Sequence, residues 1–528
     1  MAASTGPEGG HATRRPPVER PRADSEASTR LCTALFPRPR AQCAPPDGAT
    51  GPECAAIQYA DPEQLSLAAL RAAADAYRTR PREDARAVLH EKLRGAARRA
   101  AQRDALLAEA ERRAAAGAPF CPRTLVDGLL AIGVRLDDGA LARLRDLIPD
   151  PALCAEVLAA QGRRCPQTPA LDALAGPDLD LEIEVNRDSP WPFERWRAER
   201  RFAEYQFEDG GVRYRGLHLR PGDLLLPNVN LDGNFVYSAL SDPKGFCPHS
   251  ALVAILEHDG ARYPAVVETY EKGLRAVPLC VFLNERYVSY VEVYRHRGLD
   301  APRAQRASAV LLAAAERARG YNFDTTDPDP DYVCCTSVTQ QFYAALGLPG
   351  VERPGAIRDA GIRRNMQALD YPHLDAFLTP IDFVLCPQLE FVGLVDNGQP
   401  ARLLAREFVE RRFRHCFATG RIDPVRLPLA VRVNHFGIRQ MRARTPLGRV
   451  VSRVMGFDHA NLPKGPDRIL AIVEPLEAEL GAAVRRLVPE VQARLDELAG
   501  RDVADFLRDP ELCARADALL PMRWLRPA

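Results

Sequence analysis

An α+β fold, with a strand-rich centre between two helical regions, is predicted by three observations. Short apolar runs separated by Gly, Asn and Asp turns occupy residues from about 205 to about 295. Residues from about 61 to 160, and those beyond about 401, carry apolar side chains at helical spacing. Residues 1–55 are rich in Pro, Gly, Ser and Arg without periodicity. These shifts divide the chain into a disordered tail (1–55), a helical region with a linker (56–190), a central unit (205–395) and a helical C-terminal extension (396–528).

Composition narrows the class. A chain of 528 residues exceeds one ordinary core. Its 46% hydrophobic and 27% charged residues are those of a soluble globular protein. The net charge of +1 gives no global field for nucleic acid or an anionic membrane. Thirteen Cys contain no C-x-x-C spacing, which argues against structural zinc, and their odd number in a long chain argues against a secreted disulfide scaffold. The N-terminus lacks the apolar segment of a signal peptide, and no run reaches the length of a membrane span. A reducing, cytoplasmic setting is the expectation.

Each element has its own signal. In the N-terminal region Ala85, Leu89, Leu93, Ala96 and Ala97 recur at helical spacing. Arg98, Arg99 and Arg103, interleaved with acidic residues, read as a solvated face of that helix. A helical pair follows over 122–160, broken at Asp137-Asp138-Gly139 and at Pro149-Asp150-Pro151, and residues 165–195 read as a linker. Strands are predicted at 222–227, 249–257, 263–270, 274–277 and 287–295, the last carried by its run of Tyr and Val. Pro302 starts a helix over 301–319, and Tyr321–Asp331 is an acidic loop. A helix over 335–346 ends at Gly347, with Val338, Phe342, Ala345 and Leu346 inward. Phe383-Val384-Leu385 reads as a short strand, and Ile469–Leu498 as the clearest C-terminal helix.

The chemistry concentrates in the centre. Asp259-Gly260 is a two-residue hairpin turn. A tight turn there sets His249 opposite Tyr270, with Glu268 diagonally on the same face, about 7–8 Å away. Glu268 then orients the imidazole; a loop longer by one residue would send it to the other face. Cys335 opens a helix, whose partial positive charge and free N–H groups favour a thiolate and an oxyanion. A Cys nucleophile with a His base would act on an acyl carbon, and that chemistry needs no cofactor.

The rest reads as ordinary structure. His258 lies beside the turn as a solvated loop residue, and Cys247 packs. Tyr237 and Asn234, in a long loop over 228–247, are candidates for a substrate wall. Asp324, Asp327, Asp329 and Asp331 form a polar loop without the ligand order of a calcium site. The clusters Arg411, Arg412, Arg414, His415 and Arg439, Arg442, Arg444 read as helix surface rather than as contacts for a membrane or an acidic partner.

The segments Pro221-Gly222-Asp223-Leu224, His249-Ser250-Ala251-Leu252-Val253, Val267-Glu268, Tyr321-Asn322-Phe323-Asp324, Cys335-Thr336-Ser337-Val338 and Thr379-Pro380-Ile381-Asp382 stand in this order. Together they resemble the YiiX/YebB-like branch of the NlpC-type, circularly permuted papain-fold thiol hydrolases, over about 215–395. The resemblance implies an antiparallel papain-like core with Cys335 as nucleophile, His249 as base and Glu268 as orienting group. Gly222 and Asp223 would be structural. Where the family has an aromatic residue before the Cys and Ser-Glu after it, this chain has Cys334 and Thr336-Ser337, so Cys334 stays an alternative nucleophile. The implied substrates are peptides, peptidoglycan-type amides or lipid acyl groups. A related acyltransferase, and an inactive binding module that holds a protein partner through the helical flanks, are the rival classes.

Overall fold

The computed structural model describes most residues from 85 to 153. It also describes 206–520, apart from gaps at 215–216, 231–234, 259, 271–272, 284–286, 423–428, 456–461 and 496–501. The expected tail and the linker over 165–195 lie outside the described residues.

Three helices come first: α1 (Ala85–Ala115), α2 (Pro122–Ile132) and α3 (Asp138–Leu147). Leu89, Leu93 and Ala96 of α1 are buried as their spacing requires. Farther along, Leu106, Leu107 and Ala110 close a small core with Leu125, Leu129 and Leu144 of α2 and α3. The solvated face expected on α1 is corrected: Arg98 is half exposed, but Arg99 and Arg103 are buried. Arg99 makes two hydrogen bonds to Asp396, at 2.9 and 2.6 Å, and that partner lies far along the sequence.

The centre is built on strands β1 (Gln206–Glu208), β2 (Gly211–Tyr214), β3 (Leu217–Leu219) and β4 (Leu224–Val229), and helix α4 (Phe235–Leu240). It continues with β5 (Ala251–His258), β6 (Ala261–Tyr270), β7 (Gly273–Pro278), the short α5 (Leu279–Phe282) and β8 (Val288–His296). Then come α6 (Ala301–Arg317), β9 (Gly320–Tyr321), β10 (Tyr332–Val333), α7 (Cys335–Ala345), α8 (Ala360–Ala368), α9 (Pro380–Val384) and β11 (Leu389–Asp396). A six-stranded antiparallel sheet has the order β11-β8-β4-β5-β6-β7. The β5–β6 ladder runs from Leu252↔Val267 to His258↔Ala261, the register of the tight Asp259-Gly260 turn.

Alternation along the strands gives the sheet two apolar faces. Leu224, Leu226, Leu252, Ala254 and Val267 face the main core with Val338 and Phe342 of α7. Leu225, Val253, Val266 and Val293 face a second core, closed by Val212 and Leu219 of the β1–β3 sheet and by Phe282. Gly222 stands at φ +90°, and a Cβ there would lie 3.1 Å from both Leu299 and Phe342. Its missing side chain lets α7 close on the start of β4. Asp223 is buried and takes two 2.7 Å hydrogen bonds from Arg295.

Several expectations are corrected. His249 precedes its strand, which begins at Ala251, and His258 ends β5 paired with Ala261 instead of lying in the turn. The loop over 228–247 contains the end of β4 and helix α4. In α7, Ala345 is exposed and Tyr343 is buried. Phe383-Val384-Leu385 is not a strand: Pro380 and the Thr379–Asp382 capping box start a helix there. The strand of that region is β11.

The C-terminal helices are α10 (Pro400–Ala418), α11 (Leu429–Arg442), α12 (Pro446–Met455), α13 (Asp467–Ala493), α14 (Val503–Phe506) and α15 (Pro510–Leu519). Leu404, Phe408, Leu480, Leu487 and Phe506 join the same main core as Leu89 and Leu224. Arg411, Arg412 and Arg414 are partnered by Glu407, Asp517 and Asp242, so that cluster is internal cross-linking. Among the described residues, no helix is long and apolar enough to cross a membrane.

Candidate active site

The three residues singled out from the sequence lie together where α7 begins beside the edge of β5. Cys334 is the N-cap of α7 in an extended conformation, and Cys335 is the first helical residue. The Cys334 N–H donates to Ser337 Oγ at 2.9 Å, and Ser337 N–H returns to Cys334 Sγ at 3.4 Å. This box fixes the helix start. It also occupies the Cys334 sulfur, which lies 3.2 Å from Thr336 Oγ1.

Opposite, the His249 side chain lies beside Cys335, near enough to act on its thiol. Its Nε2 lies 3.0 Å from Glu268 Oε2. With Nε2 so engaged, Nδ1 is the ring nitrogen left for the thiol. Glu268 is 1% exposed and fully partnered. Arg275 donates from Nε to Oε1 at 2.9 Å and forms an ion pair at 2.7 Å. Glu268 and Arg275 are cross-strand partners of β6 and β7, so the register itself makes this contact.

The electrostatics agree with the geometry. Burial opposes the charged form of Glu268, but Arg275, His249 and Tyr287 outweigh it and hold the carboxyl down at about 2. Burial also disfavours a charged His249, yet its hydrogen bonds to Cys335 and Glu268 lift it to about 9. Burial would raise the Cys335 thiol; His249 and the backbone N–H and hydroxyl of Ser250 reverse that, and its pKa is lowered. The neighbouring Cys334 goes the other way, raised to about 11 by burial and by the charge of Cys335. The arrangement can hold a thiolate against an imidazolium.

Around this centre stands an aromatic cluster. Tyr237 stacks on Phe377 with centroids 5.7 Å apart, and Tyr321 meets Phe323 edge-on at 4.8 Å. The Tyr237 hydroxyl donates to the Phe323 carbonyl at 2.9 Å. Asn234 lies outside the described residues. Cys247 is buried among apolar neighbours, as packing predicts. The acidic loop satisfies itself: Asp324, Asp327 and Asp329 accept from the N–H groups of Thr326, Asp329 and Asp331. Among the described residues no group of His, Cys, Asp and Glu could hold a metal ion.

Three contributors escape sequence reasoning. Ser250 stands in the His249 segment but carries no signal of its own. Arg275 could have been found from register, since the Tyr270↔Gly273 pairing sets it opposite Glu268. Tyr287 reaches Glu268 from beyond another connection, and only the folded sheet reveals it.

No curated protein and no solved structure matches the chain. The central stretch, residues 218–392, matches the permuted papain-like amidase enzyme, YaeF/YiiX, C92 family, the kind of family that its His249, Glu268 and Cys335 segments resemble.

Proposed function

We propose that the protein is a cysteine amidase in which Cys335 is the nucleophile, His249 the base and Glu268 the group that orients the imidazole. The observation that carries this reading is the 3.0 Å hydrogen bond of His249 to a buried, partnered Glu268, with Cys335 beside the imidazole at the start of α7. Its support is the match of residues 218–392 to an amidase family. The reacting unit is the central region from 205 to 395, and the helical flanks hold it.

The Cys335 thiolate attacks the amide carbonyl carbon, and the thiol proton resides on His249. At the start of α7 the N–H groups of Cys335 and Thr336 receive the developing oxyanion, while that of Ser337 is engaged by Cys334. As the C–N bond breaks, His249 gives its proton to the leaving amine, and a thioester remains. Water, deprotonated by His249, then attacks the thioester, releasing the acid and restoring the thiol. Cys334 serves the helix instead of the reaction, because its sulfur accepts from the helix it caps and its thiol is held protonated.

Iodoacetamide labelling at mildly acidic pH, located by peptide mass spectrometry, tests the assignment. Ordinary thiols are protonated there and react slowly. The expected result is rapid alkylation of Cys335 that is lost in His249→Ala. Rapid alkylation of Cys334 instead, or a Cys335 rate indifferent to His249, overturns it. With reactivity established, product analysis on acyl amides distinguishes release of the free acid from transfer to an added amine or alcohol.

A further inference from the structure

The helical hairpin α11–α12 lies outside the stretch that matches the amidase family. It is as one-sided in charge as the whole chain is balanced. Residues 429–455 contain Arg432, Arg439, Arg442, Arg444, Arg449 and Arg453, and no Asp or Glu. Arg442 is engaged, by Asp467 and the Pro463 carbonyl. Among the described residues the other five make no ion pair.

The same two helices carry the exposed large apolar side chains of the described structure: Val433 (62%), Phe436 (53%), Leu447 (48%) and Val450 (57%). Their placement is not random. On α11, Arg432, Val433, Phe436 and Arg439 fall within about a third of the helix circumference. The opposite side, with Val431, Ile438 and Met441, is buried in the main core. On α12, Leu447, Arg449, Val450 and Arg453 are exposed, while Gly448 and Ser452 are buried. Gly448 sits against the Gln440 backbone, where a Cβ would lie 2.0 Å from the carbonyl oxygen. The hairpin is therefore fixed on its inner side and presents cations mixed with bare aliphatic and aromatic groups on its outer side.

We propose that this hairpin docks the protein on an anionic lipid bilayer, with Phe436, Val433, Leu447 and Val450 entering the headgroup–acyl boundary and the arginines meeting lipid phosphates. An apolar face edged by arginine is the pattern of an interfacial helix. Local charge supplies complementarity to acidic lipids, at about fivefold in affinity per arginine. Nucleic acid would use the cations but has no need of exposed Val and Leu. The inference does not rest on the thiol chemistry.

Sedimentation of the full-length protein with vesicles tests it. The vesicles are phosphatidylcholine alone and phosphatidylcholine mixed with phosphatidylserine. The expected result is binding to the mixed vesicles, weakened by salt, with little binding to phosphatidylcholine. Substituting Arg432→Gln, Arg439→Gln or Arg449→Gln weakens it by about fivefold each. Phe436→Ser with Val450→Ser weakens it by at least about tenfold. All of these positions are exposed, and an unchanged urea midpoint shows that the variants remain folded. Failure to bind the mixed vesicles overturns the proposal. So does binding that ignores Phe436 and Val450 and is fully taken over by a soluble oligonucleotide or an acidic polypeptide; the hairpin is then a polyanion contact.

Discussion

Tyr287 donates its hydroxyl to the Glu268 carboxylate from 2.8 Å of both oxygens, and so shares the oxygen that His249 contacts. A buried carboxylate with so many donors stays ionised, and an ionised Glu268 keeps His249 protonated. Tyr287→Phe removes one charge-assisted bond, a loss of about 1.5–3 kcal/mol. We expect a lower urea midpoint together with slower alkylation of Cys335 at mildly acidic pH. A variant that loses stability but keeps the full alkylation rate would separate Tyr287 from the site.

The pH dependence follows from the two shifted groups. His249 is raised from 6.5 to about 9, so its contribution to stability is complete below about pH 6.5 and disappears as pH rises through about 9. Glu268 is lowered from 4.5 to about 2, so its contribution is complete above about pH 4.5 and is lost as pH falls through about 2. Urea unfolding of the wild type and of Glu268→Gln across this range should give curves that diverge above pH 2 and converge below it. The separation at neutral pH should be on the order of 3 kcal/mol. Parallel curves would remove Glu268 as the titrating partner.

Cys334 and Cys335 should separate cleanly by substitution. Cys334→Ala deletes the N-cap of α7 and should cost about 1 kcal/mol, whereas Cys334→Ser restores the acceptor and most of that stability. Both should still alkylate at Cys335. Cys335→Ala should abolish fast alkylation and leave the unfolding midpoint near that of the wild type. Loss of fast labelling in Cys334→Ser would reverse the assignment of the two sulfurs.

Arg99→Ala should be among the costliest single changes outside the site. It leaves Asp396 buried without its guanidinium, a loss of about 3–5 kcal/mol for a broken buried pair. The check is the urea midpoint of Arg99→Ala beside that of Arg98→Ala, which should be near wild type because Arg98 is half exposed.

How much of the fold is legible in the sequence depends on how local each signal is. The β5–β6 hairpin is readable because one Asp-Gly pair sets its whole register, and Glu268 and His249 meet just beyond its last pair, Leu252↔Val267. The start of α7 is readable from the onset of its helical period. β11 is not: Leu389, Phe391, Val392, Leu394 and Val395 are apolar on both parities, and a register shift lies between Phe391 and Gly393. The alternation that marks a half-buried strand is therefore absent. Arg99 misleads for a different reason. Arg98 beside it and Arg103 one turn on give it the look of a charged face, and the carboxylate that makes its burial tolerable comes from the far edge of the sheet.

That contact has a companion. Lys92 and Arg99 stand about two helical turns apart on α1. They reach Glu292 of β8, at 2.6 Å, and Asp396 of β11, two neighbouring strands. The helix is held to the sheet by charge as well as by Leu89 and Leu93, contacts that join the parts on either side of the peptide chain between residues 154 and 205. If the backbone were cut there, the two fragments should remain a noncovalent complex. Separately made, they should complement one another in solution, with Glu292 and Asp396 serving as the address that the N-terminal fragment finds.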